Sequence, residues 1–512
     1  MNTLIRRVAL AVLFTATVAD VAPAQALTDL TSLYVGYNTR KNQLKPQGEL
    51  KARLDTIELA LAVATRTSQT EEIRRLLAKG NVVLAGRAWT DSLDFVTSLR
   101  LRSEQQIIDP RRSYVLRVEQ VYTPTLRPAH ALSAHVTLRK RPVGTGAAMQ
   151  LGDVVKDFPV VAGNGAPTVT APLSMLLDLR GVPDGNYVFY AEVTDSAGAF
   201  ARPALAVIVR DGIEEHAKAL EIAAAGAPAA LRGDLLYAVD RMRNVNRGQL
   251  QLGTFDTDRE FASADSVLAA VKANKDPYAG KTGDIKRHYV LDGANEVMPY
   301  RVYVPSNYTP SKAMPLIVVL HGLGATEDSF FDGYGKALPR LAEANGYIVV
   351  APLGYRVDGF YGSGVGISAQ DAAAKKKSDY SEADVLQSVG LVRKSYTIDE
   401  HRIYLVGHSM GAIGTWYLAA KYPAMWAGLG VFSGQSNPAN ADKMKSIPEF
   451  VVHGDADATV NVNGSRTMIT ALKGAGADVL YTEVPGGSHV SVVEPNLAAM
   501  FEFFAAHKKQ SP

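Results

Sequence analysis

Continuous apolar runs that end in glycine, proline or a small polar residue constrain the fold of this chain more than any other feature. The runs are "MPLIVVLHG" (314–322), "YIVVAP" (347–352), "RIYLVG" (402–407), "AGLGVFSG" (427–434) and "EFVVHG" (449–454). Helix-like stretches lie between them. Strands that are buried on both faces of a parallel sheet have this composition, because neither face meets water. The sequence therefore predicts an α/β domain from about residue 285 onward.

The first 26 residues have the pattern of an export signal. Arg6 and Arg7 precede the apolar run "VALAVLFTATVA" (8–19), and "AQA" at 24–26 fits a small-x-small cleavage site. The run is short for a bilayer span, and a membrane anchor is the alternative interpretation. We therefore expect a secreted or periplasmic protein whose mature chain starts near Leu27 and has no stable membrane span.

The spacing of apolar residues changes several times before residue 285, and 512 residues are too many for one hydrophobic core. Apolar spacing over 46–80 predicts two helices that are broken near Thr67, with Gly80 as a stop. Short alternating runs separated by turn signals predict an antiparallel β-sandwich, and "GNYVFYAEVTDSAGAFA" (185–201) resembles the closing hairpin of immunoglobulin-like domains. We predict a signal peptide at 1–26, an N-terminal helical region at 27–111, an accessory β-sandwich domain at 112–210, a helical connector and linker at 211–284, and an α/β domain at 285–512.

Charge and cysteine content restrict the chemistry. The chain has 54 basic and 51 acidic residues, and no basic cluster is interleaved with aromatic residues, so we expect no nucleic-acid partner. The lysines at 375–377 predict a solvated loop rather than a phosphate site. The chain has no cysteine, which excludes disulfides, a thiol nucleophile and cysteine-ligated metals.

A G-x-S-x-G pentapeptide centred on Ser409 lies between the run "RIYLV" and the helix-like stretch "AIGTWYLAAKYP". A serine in a sharp strand-to-helix turn has a strained backbone that lifts its hydroxyl clear of the sheet. Side chains two positions away on either side would collide, so Gly407 and Gly411 suit this turn. The alternative is a small residue in an ordinary turn. The position of the motif favours Ser409 as a nucleophile.

A serine hydroxyl needs a base that accepts its proton. His489 in "VPGGSHVSV" follows an apolar run and two glycines, which suits a base on a late loop; a loop histidine that only hydrogen-bonds is the alternative. His408 is the neighbour of the serine and should point away from its hydroxyl. The base needs a carboxylate partner, which Asp455 or Asp457 could supply from a strand end. The other aspartate would then be a turn residue.

Two further groups complete the predicted site. The turn "HGLG" (321–324) follows a strand, and its backbone N–H groups could meet a developing oxyanion together with that of Met410. Leu323 is the first choice in this turn and Gly322 the second. The stretch 354–385 is long for a loop, and Tyr355, Phe360 and Tyr361 in it could form a substrate-binding wall. The alternative is that these aromatic residues only pack the loop.

The segment "RIYLVGHSMGAIGTWYLAAKYPAMWAGLGVFSG" (402–434) resembles secreted α/β-hydrolase esterases. These are the feruloyl and acetyl-xylan esterases, the polyhydroxybutyrate-depolymerase-like esterases and predicted peptidases related to prolyl oligopeptidase. "HGLG", "HGDADATV" and "GGSH" match in the same order, so the resemblance covers about 285–506 and implies an α/β-hydrolase catalytic domain at 285–512. The family's acid lies three residues after the glycine of the strand-end "HG", which implies Asp457. Ala412 replaces the glycine that usually follows the motif, which should alter helix packing more than chemistry.

Together these features predict an exported serine hydrolase that cleaves carboxylic esters through an acyl-enzyme, with Ser409, His489 and Asp457 as the catalytic residues. We expect it to need no cofactor or metal. Its substrates would be small-molecule or polysaccharide-linked esters. One alternative is a serine peptidase of the same fold, since no sequence feature separates the two. Another is a non-catalytic surface or carbohydrate-binding protein on a hydrolase scaffold.

Overall fold

The structure is a computed structural model that describes residues 33–34, 36–38, 40–67, 69–125, 131–142, 151–163, 172–195, 198–250, 252–365 and 372–509. The predicted signal peptide lies outside these residues. The chain divides into two compact units, Met1–Ile222 with Ala238–Ala262, and Ala223–Tyr237 with Ser263–Pro512. Across the described residues, we find no helix with the length and apolarity that a membrane span needs. The predicted domain boundaries remain a prediction.

The first unit begins with two packed helices, α1 (Gly48–Arg66) and α2 (Thr70–Leu84), and a third helix, α3 (Asp91–Ser98). The break between α1 and α2 includes Thr67, as predicted. The prediction that Gly80 ends the second helix is wrong, because the helix continues to Leu84. A Cβ atom on Gly80 would lie 2.6 Å from the ring of Tyr37, so this glycine permits close packing instead.

Two β-sheets follow in the first unit. Their strands are β1 (Leu99–Ser103), β2 (Ile107–Ile108), β3 (Ser113–Gln120), β4 (Ser133–Lys140), β5 (Val154–Asp157), β6 (Val161–Ala162), β7 (Leu173–Asp178), β8 (Gly185–Asp195), β9 (Gly198–Ala201) and β10 (Ala204–Val209). One sheet has the order β1-β3-β7, and the other has β2-β10-β8-β4-β5 with β6 beside β4 and β9 beside β8. Side chains of both sheets, including Leu116 and Phe189, share one buried core. β1 and β2 of these sheets lie before residue 112, within the region that was predicted to be helical.

Three helices connect the sandwich to the second sheet in sequence. They are α4 (Ile213–Gly226), α5 (Ala229–Asn246) and α6 (Thr257–Lys272), which agrees with the helical pattern predicted after residue 211. The division between the two units falls within these helices. Residues 223–237 therefore belong to the second unit, together with the strand that carries His288.

The second unit is built on an eight-stranded sheet with the order β11-β12-β14-β13-β15-β16-β17-β18. The strands are β11 (Gly283–Leu291), β12 (Glu296–Val304), β13 (Met314–Leu320), β14 (Ile348–Pro352), β15 (Ile398–His408), β16 (Gly428–Phe432), β17 (Glu449–Gly454) and β18 (Val479–Val484). β12 pairs antiparallel with both β11 and β14, and the other neighbouring strands, including β13 between β14 and β15, pair parallel. The five predicted apolar runs form five of these strands.

Both faces of this sheet are buried. Along β13, Leu316 and Val318 pack in one core, whereas Ile317 and Val319 pack in another. The helices are α7 (Ser329–Asp332), α8 (Ala337–Asn345), α9 (Ala372–Ser395), α10 (Met410–Lys421), α11 (Ala441–Met444), α12 (Asn463–Gly474) and α13 (Leu497–Ala506). Side chains of α9, α10 and α12 contribute to the first core, and those of α8 and α13 to the second. This arrangement is a three-layer α/β fold, as the continuous apolar strands predict.

The stretch 354–385 is only partly a loop. Its second half belongs to α9, so the lysines at 375–377 lie on a helix and the prediction of a solvated loop there is wrong. The segment "AAAKKK" consists of strong helix formers, which explains this outcome. Val385 and Val389 on the same helix are fully buried and attach it to the sheet.

Candidate active site

Ser409 occupies the turn between β15 and α10. Its backbone has φ 58° and ψ −117°, a region that is costly for a residue with a side chain. Two hydrogen bonds stabilise this conformation: the Ser409 N–H donates to the carbonyl of Phe432 at 3.0 Å, and its carbonyl accepts from Ile413 at 3.1 Å. The strained conformation required of a nucleophile turn is therefore present at Ser409.

The glycines two residues to either side of Ser409 permit close approach of the backbone. A Cβ atom on Gly407 would lie 2.2 Å from the backbone of Gly411. A Cβ atom on Gly411 would lie 2.0 Å from the carbonyl oxygen of Leu320, at the end of β13. Any larger residue at either position would collide with the main chain, as the sequence argument requires.

Asp457 and His489 meet at the carboxyl ends of neighbouring strands. The loop after β17 carries Asp457 and the loop after β18 carries His489, and Nδ1 of His489 lies 2.7 Å from Oδ2 of Asp457. The other carboxylate oxygen, Oδ1, accepts from the N–H groups of Thr459 and Val460 at 2.8 and 2.9 Å. Burial raises the pKa of Asp457, but the hydrogen bonds from His489 and from the two N–H groups outweigh it and leave the pKa below its usual value. Asp457 is therefore ionised at neutral pH.

Asp455 makes a different contact. Its Oδ1 accepts a hydrogen bond from the N–H of Gly486 at 2.6 Å. The same two loops approach so closely that a Cβ atom on Gly454 would lie 2.1 Å from the carbonyl oxygen of Gly487. Asp455 thus ties the loop of the carboxylate to the loop of the histidine.

His408 bonds away from Ser409, as the sequence predicts, but it also contacts His489. Burial, and after it the neighbouring His489, lower the pKa of His408 to about 4, so the ring is neutral at neutral pH. Its Nε2 lies 2.9 Å from the carbonyl oxygen of His489, which can only accept, so Nε2 carries the proton. Its Nδ1 then accepts from the hydroxyl of Tyr334 at 2.9 Å. Ser433 donates a second hydrogen bond to the His489 carbonyl at 3.0 Å. The sequence did not predict that His408 and Ser433 both donate to the carbonyl of His489.

The predicted oxyanion turn lies beside the serine. A Cβ atom on Gly322 would lie 3.4 Å from the Cβ atom of Ser409. Met410 is the first residue of α10, so its N–H has no acceptor within the helix. The side chain of Leu323 is 53% exposed, and the next N–H, that of Gly324, donates to Val357 at 2.8 Å. The 322–323 turn and the N–H of Met410 thus both lie next to Ser409.

The predicted aromatic wall is only partly available to a ligand. Tyr361 is fully buried, and its hydroxyl donates to the carbonyl of His321 at 3.2 Å, so the prediction that its side chain lines a substrate surface is wrong. Tyr355 is 9% exposed, and its hydroxyl donates to Glu296 at 2.9 Å. Phe360 is half-buried. The packing alternative applies to Tyr361, because its ring fills the space next to Gly354 and Gly414.

Sequence comparison relates the second unit to known esterases. Residues 293–479 match the family described as "Putative esterase". The chain is 30% identical over 160 residues to a bifunctional acetylxylan esterase/xylanase of Neocallimastix patriciarum, covering 31% of this chain and 21% of that protein. It is 27% identical over 146 residues to feruloyl esterase B of Neurospora crassa, covering 28% of this chain and 47% of that protein. The matched part thus spans less than half the length of either relative.

A solved structure of a ferulic acid esterase from Anaeromyces mucronatus is also similar, with 19% identity, a TM-score of 0.36, and coverage of 46% of this chain and 93% of that chain. The strand order, the buried parallel sheet and the serine turn described above are those of an α/β-hydrolase. Over residues 293–479 the chain therefore matches an esterase family and has the α/β-hydrolase fold, which confirms the resemblance predicted from its motifs.

Proposed function

We propose that this protein is a serine esterase in which Ser409, His489 and Asp457 form a catalytic triad. The observation that carries the proposal is the 2.7 Å contact between His489 and a buried Asp457, at the same edge of the sheet as the strained Ser409 turn. This is the chain order and the strand-end placement that nucleophilic catalysis uses in α/β-hydrolases.

In the proposed mechanism Ser409 Oγ attacks the ester carbonyl while Nε2 of His489 accepts its proton. Asp457 keeps the His489 proton on Nδ1 and stabilises the imidazolium that forms. The N–H of Met410 and an N–H of the 322–323 turn stabilise the oxyanion. His489 then protonates the leaving alcohol. Water then attacks the acyl-enzyme while His489 accepts its proton, and His489 returns that proton to Ser409 Oγ as the acid is released.

We propose acetylated or feruloylated polysaccharides as the substrate class, and export as the route by which the enzyme reaches them. The names of the relatives, an acetylxylan esterase/xylanase and a feruloyl esterase, support this substrate class. The pattern of residues 1–26 supports export. A polymer outside the cell is accessible only to an exported enzyme, so the two proposals are consistent with each other.

Labelling with a fluorophosphonate probe tests the nucleophile directly, because the probe reacts only with an activated serine. We expect the wild-type chain to be labelled and Ser409→Ala to remain unlabelled. Hydrolysis of p-nitrophenyl acetate, of acetylated xylan and of methyl ferulate, compared with a peptide anilide, then tests the substrate class. A labelled enzyme that cleaves only the anilide would overturn the esterase proposal, and an unlabelled wild-type chain would overturn the triad.

A further inference from the structure

We propose that His453 is a second imidazole partner of Asp457 and sets the basicity of His489. This inference rests on the proposed function, because it concerns the same triad. Nε2 of His453 lies 3.1 Å from Oδ2 of Asp457, the oxygen that also contacts His489. His453 does not face the proposed reacting atoms and acts through Asp457, so its role is that of a positioning residue.

The position of the proton on Nε2 follows from its neighbours. Nε2 of His453 contacts Oδ2 of Asp457 and, at 3.0 Å, the carbonyl oxygen of Val460. A carbonyl oxygen accepts hydrogen bonds, and so does the ionised Asp457, so Nε2 must carry a hydrogen. The carboxylate therefore has four donors: two backbone N–H groups on Oδ1, and two imidazole N–H groups on Oδ2.

The ring of His453 is held firmly in this place. It lies at the end of β17 and is fully buried, as is the side chain of Asp457. Its Nδ1 lies 2.7 Å from Oγ of Ser465 on α12, and the same Oγ lies 2.9 Å from the carbonyl oxygen of Gly434. A strand, a helix and the loop after β16 thus fix the orientation of the second imidazole.

The titratable and charged groups around this site come from several elements. His489 and His408 lie on the loop after β18 and at the end of β15, with their rings 4.8 Å apart. Glu483 on β18 is the register partner of His453, and it is paired with Arg466 of α12. Asp455, on the loop after β17, bonds to Gly486. Glu483 and Asp455 thus bond to other groups, and the carboxylate that contacts His453 is that of Asp457.

Two donors on one carboxylate oxygen share its negative charge. The bond from His453 therefore weakens the electrostatic attraction between Asp457 and a protonated His489. The same bond keeps the carboxylate from rotating away from Nδ1 of His489. Removing His453 should leave more charge on Oδ2 for His489, so the pKa of His489 should rise. The turnover rate should fall at the same time, because the carboxylate is less firmly oriented.

The test uses His453→Leu, which removes all three polar contacts of the ring, and His453→Gln, which keeps an amide N–H that can donate to Oδ2. The full-length protein is labelled with ¹³C at the Cε1 atoms of histidine, and the His489 signal, assigned with His489→Ala, is titrated by NMR. We expect the pKa of His489 to rise by about one pH unit in His453→Leu and to return toward the wild-type value in His453→Gln. The kcat/KM for p-nitrophenyl acetate should fall by about tenfold to a hundredfold in His453→Leu, with the acid limb of its pH profile moving in the same direction.

His507→Leu is the matched control, since His507 also lies near a carboxylate, Asp478, at 3.2 Å but outside the site. It should leave the His489 titration unchanged. A His489 pKa that stays or falls in His453→Leu would overturn the proposal. If His453→Leu does not fold, Ser465→Ala removes the hydroxyl that orients the ring, and an unchanged His489 pKa in that variant would count equally against it. The NMR titration needs no ester hydrolysis, so failure of the proposed esterase function is recognised separately, by a wild-type chain that neither labels nor hydrolyses esters.

Discussion

Nε2 of His408 donates to the backbone carbonyl of His489 over 2.9 Å, so the residue before the proposed nucleophile holds the loop of the proposed base. We predict that His408→Leu lowers kcat by about tenfold to a hundredfold with little change in KM, because the backbone carbonyl of His489 loses one of its two hydrogen-bond donors. Tyr334→Phe is the control, since it removes only the hydroxyl on Nδ1 and should cost less. Steady-state kinetics decide the matter, and an unchanged kcat in His408→Leu would contradict the prediction.

Ser409→Ala should abolish ester hydrolysis, with a loss of at least about four orders of magnitude in kcat, and leave the fold intact. The hydroxyl supplies chemistry, whereas the hydrogen bonds that hold the turn come from the backbone of Ser409. Kinetics and thermal unfolding should be measured on the same preparation. A parallel loss of activity and melting temperature would argue that the serine is structural.

The two aspartates after β17 should respond differently to amide substitution. Asp457→Asn presents a poor partner to Nδ1 of His489 and should lower kcat by about four orders of magnitude. Asp455→Asn keeps an acceptor for Gly486 and should cost far less turnover. The kcat values of the two variants settle the assignment, which is reversed if Asp455→Asn is the inactive enzyme.

Glu449 should make stability depend on pH. It is fully buried at the start of β17, with Oε2 accepting from Trp416 at 2.7 Å, and burial raises its pKa to about 8. The folded state therefore favours the protonated acid, and the unfolded state releases the proton near its ordinary pKa of 4.5. The free energy of unfolding should fall as pH rises from about 4.5 to about 8, by roughly 4 kcal/mol from this group.

Glu449→Gln isolates this effect, because the amide cannot ionise and its carbonyl can still accept from Trp416. Urea unfolding of both proteins at pH 5 and pH 8.5 should show the variant gaining stability relative to wild type at the higher pH. An equal difference between the two proteins at both pH values would show that Glu449 does not titrate in this range.

Asp234 on α5 should be essential to the second unit. It accepts from Nε of Arg287 at 3.1 Å and from the N–H of His288 at 2.8 Å, and its side chain is 1% exposed. Asp234→Ala leaves a largely buried guanidinium without its carboxylate and should cost roughly 3 kcal/mol in unfolding free energy. Asp258→Ala, which breaks a more exposed pair with Arg210, should cost less than about 1 kcal/mol.

The contacts of Asp234 should also affect the stability of fragments of the second unit. A fragment of residues 276–512 lacks Asp234, so we expect it to be less stable than a fragment that begins at 223. Urea unfolding of both fragments measures the difference. Equal stability would mean that residues 223–237 are dispensable.

The sequence by itself determined the α/β class, the serine turn and the chain order of the proposed triad. Buried parallel strands need apolar residues on both faces, and a strained turn needs glycines at fixed positions, so both leave local patterns. Contacts between distant segments leave none. Spacing left Asp455 and Asp457 open before the family resemblance was considered, and the folded structure brings Asp457 against His489 and Asp455 against Gly486.

Tertiary structure alone decided the roles of residues whose local pattern was ambiguous. Gly80 has the pattern of a helix stop, yet it lies within a helix, and the ring of Tyr37 packs against it. Tyr361 has the pattern of a pocket residue, but it is fully buried and its hydroxyl donates to His321 in the predicted oxyanion turn. His453 lies four residues before Asp457, but its bond to that carboxylate depends on the way the strand end and the following loop fold back on each other. A side chain's partners depend on which strands and loops become neighbours, and that is a property of the folded chain.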